Sequence, residues 1–68
     1  MVKLEMILIN KSKYNLEQAI KYLDDNDYKY DNVEETKNYY KFRQLQYNSN
    51  VKYYSKVINK YIKMVFVY

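Results

Sequence analysis

The chain has no glycine and no proline among its 68 residues, and this absence constrains its turns more than any other feature. Tight turns often need a residue with positive φ, which glycine adopts freely and which asparagine and aspartate tolerate better than most other residues. We therefore expect the turns at asparagines. The candidates are Asn10, Asn26, Asn32, Asn48, Asn50 and Asn59.

The length allows one small domain, which we place over residues 1–68. Such a domain buries only about 60% of the surface of its unfolded chain, so its stability margin is small. Cysteine and histidine are both absent, which excludes disulfides and nucleophilic catalysis of the Cys/His or Ser/His type. A phosphate-binding glycine-rich loop is excluded as well. We expect no enzymatic activity, no cofactor and no metal.

Residues 16–25 predict an amphipathic helix. Its apolar positions follow the spacing i, i+3, i+4 and i+7 and are Leu16, Ala19, Ile20 and Leu23. Asn15 is a favourable N-cap, and Gln18 three residues later completes a capping box. The helix should end within residues 24–26, where Asn26 tolerates the left-handed conformation.

Alternating polar and apolar residues predict strands around this helix. We expect strands at 2–9, 28–31, 39–47 and 62–68, a continuation or a turn at 32–38, and turns at 48–50 and near Asn59 and Lys60. Residues 51–58 fit a strand or a helix. The fold class is α+β, a single small domain with one helix packed on a mostly antiparallel sheet, in the order β-α-β-β-[β or α]-β. The residues expected beneath the helix are Leu4, Met6, Leu8, Phe42, Val57 and Met64.

Charge is divided along the chain. All eight acidic residues lie at or before Glu35, and seven of the twelve cationic residues lie at or after Lys37. Six of the acids are close in sequence and have only Lys29 among them: Asp24, Asp25, Asp27, Asp31, Glu34 and Glu35. Regions of opposite sign favour the steering and binding of charged partners. We predict that these six residues contact a partner.

The same acidic residues give little indication of a metal site or of catalysis. Asp25, Asp27 and Asp31 resemble the start of an EF-hand loop, but Lys29 stands at the third ligand position and the turn glycine is missing. A solvated acidic loop is the simpler interpretation. Neighbouring Glu34 and Glu35 would face opposite sides of a strand, which gives no support for a glycosidase pair.

The second half interleaves cations with aromatic residues. The positions that offer an alternative contact, to nucleic acid or to a protein partner, are Tyr39, Tyr40, Lys41, Arg43, Lys52 and Lys56. Rings stack on bases, and lysines meet phosphates. The pattern is equally typical of a sheet with aromatic residues in its core and lysines protecting an edge. Arg43 is either an anchor for phosphate or carboxylate or, as we favour, a cross-strand partner of an acid such as Glu34 or Glu35.

The segment Tyr39-Tyr40-Lys41-Phe42-Arg43-Gln44 resembles a Tyr-Tyr-basic-Phe-Arg-Gln strand of small phage and mobile-element proteins from AT-rich Firmicutes. Ile62-Lys63-Met64-Val65 is similar to their C-terminal Ile-Lys-x-Val strand, although the glycines that precede that strand are missing here. The resemblance implies a stoichiometric inhibitor of host defence, of which anti-CRISPR proteins are the familiar class.

Three functions follow as expectations. The first is a non-enzymatic protein that inhibits a host defence protein or ribonucleoprotein by occupying its surface. The second is a small basic nucleic-acid-binding protein, and the third is an assembly subunit that forms a homodimer through the strand edge of residues 64–68. We expect a cytoplasmic location in the host cell and no membrane partner, because no apolar run approaches the about 20 residues of a membrane span.

Overall fold

One helix and five strands occur in the part of the chain that the computed structural model describes, residues 2–45 and 52–68. In chain order they are β1 (Lys3–Asn10), α1 (Leu16–Asp25), β2 (Val33–Glu35), β3 (Tyr39–Arg43), β4 (Tyr53–Asn59) and β5 (Ile62–Val67). The strands form one antiparallel sheet in the order β2-β3-β1-β5-β4. The α+β class and the predicted order of elements are confirmed, and the segment that fitted either a strand or a helix forms β4.

The capping pattern in the sequence explains where α1 begins. The side-chain oxygen of Asn15 accepts a hydrogen bond from the backbone N–H of Gln18 at 2.8 Å. The side chain of Gln18 in turn accepts from the N–H of Asn15 at 3.0 Å. These two bonds satisfy donors that the first turn of a helix otherwise leaves without partners, so the predicted capping box is confirmed.

The core lies between α1 and one face of the sheet. From the helix, Ala19 and Leu23 are fully buried, and cross-strand pairing places Ile7 beside Phe42 and Met64 on the face below. Among the described residues, the buried members of this cluster are Ile7, Ile9, Ala19, Leu23, Tyr40, Phe42, Ile62 and Met64. The predicted packing of the helix on Phe42 and Met64 is therefore confirmed.

The side of β1 that meets the helix is not the predicted one. Ile7 and Ile9 are fully buried in the core, whereas Met6 and Leu8 are half-buried and alternate with them. Leu4 does pack against the core, because the pairing of β1 with β5 shifts register between Leu4 and Met6. A shift of one residue exchanges the two faces of a strand, and apolar residues on both sides gave no basis for choosing between them.

Two further predicted core positions are wrong. Leu16 is 39% exposed at the start of α1. Val57 is also exposed, because it pairs with Lys63, which alternates with the core residues Ile62 and Met64 along β5. Ile20 packs against the core and is only partly buried.

The turns use asparagine and aspartate side chains. The side-chain oxygen of Asn59 accepts from the N–H groups of Tyr61 and Ile62 at 2.8 and 3.1 Å, so the predicted turn between β4 and β5 is confirmed. At the end of α1 the prediction for Asn26 is wrong in conformation. Asn26 has φ −107°, and Asp27, with φ 62°, is the residue that takes the left-handed conformation.

The predicted strand at 28–31 is wrong, because the backbone of its first residues makes hydrogen bonds outside the sheet. The N–H of Tyr28 donates to the carbonyl of Leu23 at 2.9 Å, and the N–H of Lys29 donates to the side chain of Gln44 at 2.8 Å. The strand follows instead at β2, inside the stretch predicted as a continuation or a turn. Likewise, β3 ends at Arg43 rather than at 47, and the predicted turn at 48–50 lies outside the described residues.

The C-terminal strand does not offer a sheet edge. β5 lies between β1 and β4 and pairs with both, so the prediction that residues 64–68 pair with another copy is wrong. Within the described residues, β2 and β4 are the outer strands of the sheet. A homodimer through a strand edge stays a prediction, and β2 or β4 would have to provide the edge.

Candidate interaction surfaces

The six predicted acidic residues are all exposed. They lie along one path, which runs from the end of α1 through the following loop into the outer strand β2, and we name them the acidic rim. Its members are Asp24, Asp25, Asp27, Asp31, Glu34 and Glu35. The structure thus places all six at the surface, where carboxylates can meet a partner without first breaking the core.

Hydrogen bonds hold the backbone of this loop against the rest of the protein. The side chain of Gln44 accepts from the N–H of Lys29 at 2.8 Å and donates to the carbonyl of Lys29 at 2.7 Å. The side chain of Asn26 donates to the carbonyl of Tyr22 at 2.7 Å, which closes the end of α1. The loop is therefore fastened at two places, and its carboxylates are presented from a defined backbone.

Two members of the acidic rim already have cationic neighbours. The ammonium of Lys11 lies 2.7 Å from a carboxylate oxygen of Glu35. The ammonium of Lys21 lies 3.4 Å from Asp25, one turn along α1. Exposed pairs of this kind contribute little to stability and exchange readily for other charges.

The structure does not bring the six alternative basic and aromatic positions together. Tyr40 belongs to the core, is only 9% exposed and has Lys11 above its ring at 5.4 Å, so it is not available as a contact. Tyr39 and Lys41 alternate with it along β3, and Lys63 from β5 lies 5.6 Å from the ring of Tyr39. The remaining two positions, Lys52 and Lys56, lie at the opposite edge of the sheet, before and within β4.

Arg43 has a different partner from the one predicted. Its guanidinium lies 3.1 Å from the carboxylate of Glu5, which is buried where β1 changes register. The expected cross-strand acid is thus found on β1, and it is neither Glu34 nor Glu35, which align with Lys41 and Tyr40 across the sheet. Arg43 therefore compensates a buried charge and has a structural role.

Aromatic rings cluster where β4 pairs with the end of β5. The rings of Tyr54 and Phe66 are stacked with centroids 5.3 Å apart, and Tyr68 lies 5.6 Å from Tyr54. The contact positions predicted from the sequence included Lys52 and Lys56 but none of these three rings. Only the register of β4 against β5 reveals that they meet, and no local pattern encodes that register.

A second group of tyrosines lies around α1. Burial raises the pKa of Tyr22 above the usual tyrosine value, and electrostatic repulsion from Tyr28 and Tyr14 raises it further. All three rings pack against the core. These three rings therefore act as packing around the helix.

Within residues 2–45 and 52–68, no three carboxylates come close enough together to hold a metal ion. In the same residues α1, with ten residues, is far short of the about 20 that a helix needs to cross a membrane. Comparisons with protein-family models, curated proteins and solved structures gave no match.

Proposed function

We propose that this chain is a non-enzymatic binding protein that inhibits a host defence protein or ribonucleoprotein by occupying its surface, in the manner of an anti-CRISPR protein. The proposal includes action in the cytoplasm of a bacterial host. One observation carries it, the acidic rim. Six exposed carboxylates follow the end of α1, a loop fastened by Gln44, and the outer strand β2.

The chemistry of defence machines explains why such a surface would inhibit them. Proteins that handle nucleic acids expose lysines and arginines that neutralise phosphates. Carboxylates on a defined backbone can occupy those cations, and complementary charge speeds the encounter. A partner bound in this way cannot hold nucleic acid at the same place.

A binding experiment tests the contact directly. The triple variant Asp24→Asn, Asp25→Asn, Asp27→Asn removes three charges and keeps the size of each side chain. Asparagine at position 27 also tolerates the positive φ found there, so the turn should survive. We expect immobilised wild-type protein to retain a nucleic-acid-handling host protein and the triple variant to lose most of it.

The matched control is Glu17→Gln, an exposed acid in the first turn of α1 outside the acidic rim. Circular dichroism should show all variants folded. If the wild type and the triple variant retained the same proteins in equal amounts, the acidic rim would not be the contact. Retention of nothing by the wild type would contradict the proposed function.

A further inference from the structure

A second surface lies at the other edge of the sheet and differs in chemistry from the acidic rim. It consists of Lys52, Tyr54, Lys56, Phe66 and Tyr68, which we name the aromatic–lysine patch. We propose that this patch binds single-stranded nucleic acid. The inference goes beyond the proposed function, because it concerns another surface and another class of ligand.

Pairing of β4 with β5 places these five residues on one face. Tyr54 pairs with Phe66. Lys52 and Tyr68 exchange backbone hydrogen bonds at 3.2 and 3.1 Å, so they also lie opposite each other. Since alternate residues of a strand share a face, Lys56 belongs to the same side as Lys52 and Tyr54.

The three rings of this patch lie in contact at the edge of the sheet, with Phe66 partly buried against the core and the two tyrosines at the surface. Tyr54 stacks on Phe66 with an interplanar angle of 18°, and Tyr68 lies beside Tyr54, tilted by 56°. Tyr54 and Tyr68 are nevertheless 42% and 55% exposed, so the helix does not cover them. Exposed rings held in place by a sheet are the surface on which unpaired bases stack.

The charges around the rings fit a phosphate backbone. Lys52 and Lys56 are exposed at either side of Tyr54 along the strand and are separated by about 13 Å at the usual rise per residue. No acidic residue occurs in β4, in β5 or in the turn that joins them. Two lysines flanking a row of rings can hold the phosphates of a few nucleotides while the bases meet the rings.

A single strand suits this patch better than the other polyanions. In a duplex the faces of the bases are stacked inside and cannot reach Tyr54 or Tyr68. An acidic peptide would use the two lysines but leave the row of rings without a partner. The rings therefore favour single-stranded nucleic acid, and the experiment separates these three ligands.

Fluorescence anisotropy of a labelled oligothymidylate of about 20 nucleotides tests the proposal at about 20 mM salt. We expect saturable binding that weakens as salt is raised. Lys52→Gln with Lys56→Gln should weaken it at least about fivefold and reduce its salt dependence. Tyr54→Leu should weaken it at least about fivefold, because the leucine keeps apolar bulk but offers no ring.

Matched controls separate the patch from general charge and tyrosine content. Lys29→Gln with Lys37→Gln removes the same charge from two exposed lysines on the side of the acidic rim. Tyr30→Leu removes a ring that is 41% exposed and lies outside the patch. Both controls should change the affinity less than about twofold, within the range of non-specific electrostatics.

Three results would overturn the proposal. The first is no anisotropy change for the folded wild type at about 100 µM protein, which is the range of ordinary non-specific binding. The second is an equal loss in the patch variants and their controls. The third is binding of a duplex or a polyglutamate peptide as tight as that of the oligothymidylate. None of these results bears on the acidic rim or on its proposed partner. The proposal for the aromatic–lysine patch can therefore fail while the proposed function stands.

Discussion

At the scale of the residue, one buried ion pair makes the described part of the chain sensitive to the loss of either partner. Glu5 is the buried charged residue of the described chain, and Arg43 lies against it at 3.1 Å. A buried carboxylate that loses its partner costs far more than the pair contributes. Arg43 is also the one arginine in the sequence, and its guanidinium can meet a carboxylate that lysine would fit less well.

We expect Arg43→Ala to lower the free energy of unfolding by about 3–5 kcal/mol, because Glu5 stays buried without its cation. Lys41→Ala, two residues earlier on β3, should cost less than about 1 kcal/mol. Urea denaturation followed by circular dichroism measures both. The double variant Glu5→Leu, Arg43→Leu should recover most of the loss, and an Arg43→Ala protein as stable as the wild type would show that the pair does not matter.

The raised pKa of Tyr22 predicts a loss of stability at alkaline pH. Its unfolded form ionises near pH 10, before the folded form does. The stability that Tyr22 contributes is therefore fully present below that pH. It is lost as the pH rises through the higher pKa that Tyr22 has in the folded protein. We expect Tyr22→Phe to move the midpoint of alkaline unfolding upward. Tyr30→Phe, at an exposed position, should leave it unchanged, and equal midpoints for the wild type and Tyr22→Phe would contradict the assignment.

At the scale of the element, the middle and the end of α1 are held in the core, whereas the start of its apolar stripe is exposed. Leu23 is fully buried and Leu16 is 39% exposed, although both follow the same helical spacing. We expect Leu23→Ala to cost about 2–5 kcal/mol through the cavity it leaves. Leu16→Ala should change stability by about 0.5 kcal/mol or less. Thermal unfolding measures the loss of stability in both variants. Equal losses would mean that the whole apolar stripe is buried, which would contradict this prediction.

The position of β5 gives a second prediction for an element. Deletion of residues 65–68 removes half of a strand that pairs on both sides, and it takes Phe66 from the core-facing side. We expect the truncated chain to be unfolded by circular dichroism. Deletion of Tyr68 alone should leave it folded, since β5 ends at Val67. A stable truncated monomer would contradict the central place of β5.

Local patterns predicted the elements better than their pairing. The helix was predictable because Asn15 and Gln18 cap it through contacts three residues apart. The side of β1 that forms the core was not, because apolar residues lie on both faces and a register shift follows Leu4. The partner of Arg43 is 38 residues away, at Glu5, which no local spacing indicates.

The same distinction holds for the surfaces. The acidic rim was predictable for two reasons. Its six members are close in sequence, and the exposure of charged side chains does not depend on which strands pair. The aromatic–lysine patch was only half predictable. Its lysines stand out in the sequence, whereas Tyr54, Phe66 and Tyr68 meet only through the pairing of β4 with β5.

At the scale of the whole molecule, the two outer strands carry opposite charge. β2 belongs to the acidic rim, and the segment around β4 carries Lys52, Lys56 and Lys60 without an acid. If two copies of the chain met through the same outer strand, like charges would face each other. This opposes pairing of β2 with β2 and of β4 with β4. The sheet therefore has an acidic edge at β2 and a basic edge at β4.

The central claim is that the acidic rim inhibits a host defence machine. The most direct measurement is the plating efficiency of a phage on bacterial strains that each carry one defined CRISPR–Cas or restriction system and express this chain. The account predicts that the wild type restores plating on at least one strain, that Asp24→Asn, Asp25→Asn, Asp27→Asn does not, and that Glu17→Gln does. Unchanged plating on every strain with folded wild-type protein, or full activity of the triple variant, would contradict it.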